Sequence, residues 1–133
     1  GVRAFSIDDA TTTEIDAAFS VRPKDGGGWR IGIHIAAPSL GIQPGTALGD
    51  IARNRLSTVY FPGRKITMLP DEAVETYTLL AGRECAAPSL YLDAETDLRV
   101  TAKESRIERV AVAIAKKPAP VTNSVGMQMR KYV

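Results

Sequence analysis

The sequence predicts an α+β fold in which a mainly antiparallel β-sheet carries two short helices. Short β-rich stretches recur along the chain, and glycine-, proline- and aspartate-containing turns separate them. Only two stretches, residues 46–56 and 70–80, have the pattern of a helix. With 133 residues, the chain is long enough for one domain with one hydrophobic core.

The first predicted strands flank a glycine turn. Residues 3–7, 17–22 and 29–36 are rich in apolar and β-branched side chains and are predicted strands. The run Asp25-Gly26-Gly27-Gly28 is a turn, because glycine accepts a positive φ at little cost. The second and third strands are therefore predicted to pair as an antiparallel hairpin.

The two predicted helices follow turn signals. Pro44-Gly45 forms a turn, and Thr46 can then cap a helix to about Leu56 whose apolar side chains fall on one face. Residues 70–80 form the second short helix, which Gly82 is predicted to close.

The remaining strands are predicted from β-rich stretches between turns. Residues 57–61 are extended and end at Pro62-Gly63. A hairpin is predicted from residues 89–92 and 98–102, and a separate long strand from residues 106–114.

The predicted domain covers residues 3–115, and a linker with a basic tail is predicted for residues 116–133. Pro118 and Pro120 break regular structure there, and residues 127–133 are basic with one aromatic residue.

Composition excludes some classes of site. With one His and one Cys, a tetrahedral zinc site is not expected, so any metal is expected to be held by carboxylates, which favour magnesium or manganese. Cys85 is expected to be a small buried hydrophobe. No stretch approaches the ~20 apolar residues that span a bilayer, and no secretory signal is recognised. We therefore expect no membrane partner, and the single cysteine is typical of a reducing, cytoplasmic location.

Four carboxylates occur within nine residues after the first strand, at Asp8, Asp9, Glu14 and Asp16. Grouped carboxylates repel one another, and a divalent cation relieves this repulsion. Two such ions can activate a water and stabilise the leaving oxygen in phosphodiester hydrolysis. A solvated acidic turn is the alternative that composition leaves open.

This segment resembles the acidic signature of the RNB exoribonuclease family (ribonuclease II and R type). Asp8, Glu14 and Asp16 match its first three acidic positions, and Ala17 stands at the fourth. Asp9 lies beside the pattern. Three further stretches agree in order and spacing, namely WRIGIHIA (29–36), RNRLSTVYFP (53–62) and MLP (68–70). Ala37 stands where the family usually has another aspartate.

The resemblance implies a 3′–5′ exoribonuclease module that acts on single-stranded RNA by metal-assisted phosphodiester hydrolysis. Asp8, Glu14 and Asp16 would be its catalytic residues and would hold Mg²⁺ or Mn²⁺. Because a methyl group cannot coordinate a metal, Ala17 predicts impaired or absent cleavage. The resemblance also implies that the chain corresponds to about the first third of a catalytic domain, which again predicts a poor nuclease.

Two alternatives to an active nuclease stay open. The chain could be a non-catalytic RNA-binding or protein-interaction module of the same fold. It could also be a fragment completed by self-association or by a chain that supplies the missing half of the domain, which would cover exposed sheet edges.

Tyr60 aligns with a family tyrosine that resembles a base-stacking contact. The basic residues near it in sequence could follow RNA phosphates, and these are Arg53, Arg55, Arg64 and Lys65. The alternatives are a half-buried strand tyrosine, a solvated helix face and a charged turn, and Arg55 also falls on the apolar helix face. His34 is expected to be a hydrogen-bonded core residue rather than a general base.

Overall fold

The computed structural model describes residues 1–8 and 12–113, which contain seven strands, two α-helices and a 3-10 turn. In chain order they are β1 (Val2–Phe5), β2 (Ala17–Pro23), β3 (Trp29–Ile35), the 3-10 turn (Pro38–Leu40), α1 (Ala47–Arg55), β4 (Val59–Phe61), β5 (Arg64–Ile66), α2 (Asp71–Tyr77), β6 (Glu84–Ala94) and β7 (Val100–Ala113). The predicted α+β class is confirmed. Asp9 and the predicted linker and tail lie outside the described residues. Within those residues, no helix is long and apolar enough to cross a membrane.

The chain divides into two compact units. The barrel unit comprises residues 1–36 and the chain from Leu79 onward, which is described as far as Ala113. The hairpin unit comprises residues 37–78.

Five strands close the barrel unit in the order β1-β2-β3-β6-β7. The antiparallel pair β2–β3 runs from Ala17↔Ile35 to Pro23↔Trp29, which confirms the predicted hairpin around the glycine turn. β6 and β7 form a longer antiparallel hairpin. β1 closes the barrel by pairing in parallel with the end of β7, with Val2 opposite Val110.

An apolar core fills part of the barrel unit. Its buried members are Ala4, Ile15, Ala18, Leu79, Ala87, Val110 and Val112. Cys85 is partly buried and packs against this core, close to its expected role. Ile15 belongs to the loop between β1 and β2, and its carbonyl oxygen accepts a hydrogen bond from Leu79 N at 3.0 Å. The core therefore holds the loop that carries the acidic residues.

The hairpin unit begins its first helix as the sequence predicts. Thr46 Oγ1 accepts a hydrogen bond from Gly49 N at 3.1 Å, so Thr46 caps α1. β4 and β5 then pair antiparallel around the turn Pro62-Gly63. Gly63 has φ +78°, a conformation that costs glycine little.

Three details of the sequence-based prediction are wrong. No strand is predicted at residues 64–66, where β5 lies, because charged side chains there obscure any alternating pattern. Gly82 does not close α2, which ends five residues earlier at Tyr77. Residues 98–102 and 106–114 are not separate strands, since β7 runs without a break from Val100 to Ala113, where the description of it ends.

Candidate functional site

The β4–β5 hairpin presents aromatic and basic side chains to solvent. Tyr60 is 73% exposed and lies directly opposite Lys65. Phe61 lies opposite Arg64, and the guanidinium carbon of Arg64 is 5.3 Å from the centroid of the Phe61 ring. Because successive side chains alternate along a strand, the two aromatic–basic pairs lie on opposite faces of the hairpin. The Tyr60 ring is thus available for stacking, unlike a half-buried strand tyrosine.

The residues predicted to contact RNA all lie in the hairpin unit, and all are exposed: Arg53, Arg55, Tyr60, Arg64 and Lys65. Arg53 and Arg55 belong to the last turn of α1. Arg55 also has a protein partner, since its Nη1 donates to the carbonyl oxygen of Thr67 at 3.0 Å. Arg55, which belongs to α1, is therefore held at the base of the hairpin. Arg64, which belongs to β5, lies beside the turn at the tip of the hairpin.

The acidic segment lies in the barrel unit, in the loop between β1 and β2. Asp8 and Glu14 are half-buried, and Asp16 is exposed immediately before β2. The end of this segment is anchored, because Ile15 is buried in the core and Ala36 N donates to Asp16 O at 2.8 Å. The loop therefore leads into β2 from a fixed position.

Metal ligands are the next question for this segment, of which the structure describes Asp8 and residues 12–16. Across residues 1–8 and 12–113, no three His, Cys, Asp or Glu side chains form a group that could hold a metal ion. Ala17 occupies the first position of β2, opposite Ile35, and supplies only a methyl group. The described side chains of this segment therefore form no three-ligand group by themselves. The roles of Asp8, Glu14 and Asp16 stay predictions.

A buried histidine occupies the interior of the barrel. His34 is 0% exposed, with Nδ1 2.7 Å from Ser89 Oγ and Nε2 2.9 Å from Ser20 Oγ. Burial lowers the pKa of His34, so the ring is neutral near pH 7. This confirms the expectation of a hydrogen-bonded core histidine, and a fully buried ring offers RNA no general base.

Sequence reasoning missed the polar network that extends from this histidine. Tyr91 donates to Glu108 Oε1 at 2.5 Å, and the guanidinium carbons of Arg30 and Arg106 lie 4.6 and 4.7 Å from the Tyr91 ring centroid. Arg106 pairs with Glu108 at 3.0 Å, and Arg30 pairs with Glu104. The charged groups of this network thus neutralise one another, which indicates a structural role.

Hydrogen bonding outweighs burial at Glu108. Burial raises the pKa of this carboxyl, but hydrogen bonds from Tyr91 and Ser89, together with the positive charge of Arg106, produce a net lowering. Glu108 is therefore ionised at neutral pH. Each serine hydroxyl can donate to or accept from its ring nitrogen of His34, depending on the tautomer of the ring.

One sequence signal could have indicated this network. Small or polar residues occupy inward positions of successive strands, namely Ser20 in β2, Gly32 and His34 in β3, and Ser89 in β6. A Cβ at Gly32 would lie 2.9 Å from both His34 Nε2 and Tyr91 Cε1, so glycine is needed there for space.

Comparison with known proteins identifies the family. The RNB domain model matches residues 1–120. An uncharacterized ribonuclease of Synechocystis sp. is 38% identical over 89 residues, which make up 66% of this chain and 13% of that protein. DIS3-like exonuclease 2 and inactive exonuclease DIS3L2, both of Arabidopsis thaliana, are each 48% identical over 65 residues, or 49% of this chain and 6% of each relative. The chain thus spans only a small part of the length of these relatives.

A solved structure shares the fold. Mycoplasma genitalium RNase R, in complex with ribose-methylated single-stranded RNA, matches 87% of this chain and 18% of its own with a TM-score of 0.79. Sequence identity in that comparison is 14%, so it supports the fold alone. Since the RNB domain model covers 120 of the 133 residues, this chain belongs to the RNB family.

Proposed function

We propose that this chain is an RNB module that binds single-stranded RNA through the β4–β5 hairpin and has little or no exoribonuclease activity by itself. The observation that carries the proposal is the exposure of two aromatic–basic pairs on this hairpin, Tyr60 with Lys65 and Phe61 with Arg64. The structurally similar M. genitalium RNase R was solved in complex with single-stranded RNA, which supports the choice of ligand.

The chemistry of the hairpin suits an unpaired strand. Every base has a π-face, so stacking on Tyr60 would tolerate any sequence and contribute about 1–3 kcal/mol per base. Arg53, Arg64 and Lys65 carry positive charge that could neutralise phosphates, and this part of the binding would weaken as salt rises. Together these contacts would guide a strand without reading its sequence.

The acidic segment is the reason to propose weak cleavage. Ala17 lacks the fourth carboxylate of the RNB pattern, and residues 1–8 and 12–113 offer no three-ligand group for a metal. We propose that Asp8, Glu14 and Asp16 serve as ligands of Mg²⁺ or Mn²⁺ only if further groups complete the site. One similar relative is named an exonuclease and another an inactive exonuclease, so the similarity is compatible both with cleavage and with its absence.

Location and protein partners form a second part of the proposal. We propose a cytoplasmic location, and we propose that a second copy or another chain associates with this one. Binding of RNA by the hairpin requires neither.

A single assay separates binding from cleavage. A 5′-labelled single-stranded RNA is titrated with the chain in Mg²⁺ or Mn²⁺, with fluorescence anisotropy to report binding and a denaturing gel to report products. We expect binding without a ladder of shortened products. Absence of binding would overturn the RNA-binding proposal, and a ladder would overturn the proposal of weak cleavage.

Ala17→Asp is the matched variant for the chemistry. If it produces a ladder that the unmodified chain does not, the missing carboxylate is the limiting defect. If the variant binds RNA and still gives no ladder, the lost carboxylate alone does not account for the lack of cleavage.

A further inference from the structure

The β4–β5 hairpin is too short to be stable by itself. It has three residue pairs, and an isolated two-stranded hairpin is at best marginally stable in water. Its apolar side chains bury little surface within the described chain, since Val59, Phe61 and Ile66 are 42–49% exposed. Contacts at the base of the hairpin must therefore help to keep its strands paired.

Two hydrogen bonds meet at that base. Arg55 Nη1, in the last residue of α1, donates to Thr67 O, which directly follows β5, at 3.0 Å. Met68 N donates to Thr58 Oγ1, which directly precedes β4, at 3.2 Å. The first bond ties the helix to the end of β5, and the second ties the end of β5 to the start of β4.

The connection between α1 and β4 has few contacts of its own that could hold the hairpin, so the hydrogen bond from Arg55 to Thr67 contributes more to its position. Leu56 has φ +65°, a backbone conformation that residues other than glycine rarely adopt, and its side chain is 77% exposed. Packing of Leu56 therefore does little to hold this connection. The hydrogen bond from Arg55 to Thr67 spans this connection, because it joins the end of α1 to the end of β5.

The direction of the Arg55 side chain separates it from Arg53. Two residues along an α-helix correspond to a rotation of about 200°, so the two side chains leave α1 in nearly opposite directions. Arg55 points to the hairpin, where Thr67 O fixes it. The two arginines share a helix and a charge, but they occupy different surroundings.

We propose that Arg55 is a positioning residue that holds the β4–β5 hairpin, and with it Tyr60, in place for RNA through its bond to Thr67. This revises the sequence-based prediction that Arg55 contacts phosphate, and it rests on the proposed binding of RNA by the hairpin. The positioning role and a phosphate contact differ in their salt dependence. A lost phosphate contact reduces the slope of log K against log salt by about 0.7 on single strands, whereas lost positioning leaves that slope unchanged.

The test compares Arg55→Met with Arg53→Met in the full chain. RNA affinity is measured at several salt concentrations with a single-stranded oligonucleotide. Hydrogen exchange is measured without RNA at the amides of Arg64 and Ile66, which belong to the hydrogen-bonded pairs of the hairpin. For Arg55→Met we expect affinity to fall about 2- to 10-fold, the typical effect of one lost hydrogen bond, with an unchanged salt slope and faster exchange. For Arg53→Met we expect exchange as in the unmodified chain. Thr58→Val, which removes the second bond, should also accelerate exchange.

Several outcomes would overturn the proposal. A reduced salt slope with unchanged exchange in Arg55→Met would make Arg55 a phosphate contact. Faster exchange with unchanged affinity would show that holding the hairpin does not matter for RNA, and unchanged exchange and affinity would show that Arg55 has neither role. If the unmodified chain fails to bind RNA, the proposed function fails, while hydrogen exchange still reports whether Arg55 holds the hairpin.

Discussion

The barrel unit and the hairpin unit use tyrosine and arginine in opposite ways. Tyr91 in the barrel is 5% exposed, donates to Glu108 and lies beside two arginines that are themselves paired with carboxylates. Tyr60 in the hairpin is 73% exposed and lies opposite Lys65. A polar group satisfied inside the protein stabilises the fold, whereas an exposed ring with positive charge beside it can contribute to binding. We therefore propose that the barrel network contributes stability and that the hairpin contacts RNA.

The largest effect is expected from breaking the barrel network at its buried histidine. His34→Leu removes the ring nitrogen that each of Ser20 and Ser89 contacts, and each buried group left unsatisfied costs about 1–3 kcal/mol. We expect the free energy of unfolding, measured by urea denaturation, to fall by this amount for each hydroxyl that finds no new partner. RNA affinity of the folded fraction should be unchanged. Stability equal to that of the unmodified chain would show that the network contributes little.

A smaller effect on stability is expected from pH. Burial lowers the pKa of His34 below its ordinary value of 6.5, so the unfolded chain binds more protons than the folded chain as pH falls below that value. The free energy of unfolding should therefore be fully retained above about pH 6.5 and decrease below it. A second decrease should begin below the ordinary value of 4.5 for Glu108, whose pKa is lowered by its hydrogen bonds despite burial.

Urea denaturation at several pH values checks this dependence, and His34→Leu is its control. The variant should lack the decrease that begins near pH 6.5 and keep the one that begins near pH 4.5. A decrease near pH 6.5 of equal size in both proteins would assign it to a group other than His34.

The smallest effect is expected at a single charge on the hairpin. Lys65→Met should reduce the slope of log K against log salt for single-stranded RNA by about 0.7, because one phosphate contact is lost. The free energy of unfolding should change by less than about 0.5 kcal/mol, since Lys65 is exposed. Lys103→Met, an exposed change in β7 of the barrel unit, serves as the control and should leave the slope unchanged.

Local signals predicted the parts of the fold that neighbouring residues determine. The glycine run before Trp29 predicted the β2–β3 hairpin, and Thr46 predicted the start of α1, because turn and cap geometry depend on a few adjacent residues. The parallel pairing of Val2 with Val110 could not be predicted in this way, since it joins the two ends of the described chain. Closure of the barrel depends on that distant contact.

In the candidate site, too, the sequence predicted what a local motif determines and did not predict contacts between distant residues. The motif around Tyr60 indicated a stacking residue, and the structure shows that its ring is exposed. The bond from Arg55 to Thr67 depends on where β5 ends, and the sequence pattern gave no sign of β5. The network around His34 draws its members from several strands, so only their arrangement in the barrel reveals it.

The most direct test of the proposed roles, stability for the barrel unit and RNA contact for the hairpin unit, replaces one tyrosine in each unit by leucine. Tyr60→Leu and Tyr91→Leu are compared by fluorescence anisotropy with a single-stranded RNA and by urea denaturation. Tyr60→Leu should weaken RNA binding by about 5- to 150-fold, equivalent to 1–3 kcal/mol of stacking, with the free energy of unfolding nearly unchanged. Tyr91→Leu should lower the free energy of unfolding and leave the RNA affinity of the folded protein intact. If Tyr60→Leu binds RNA as tightly as the unmodified chain, the hairpin is not the RNA contact.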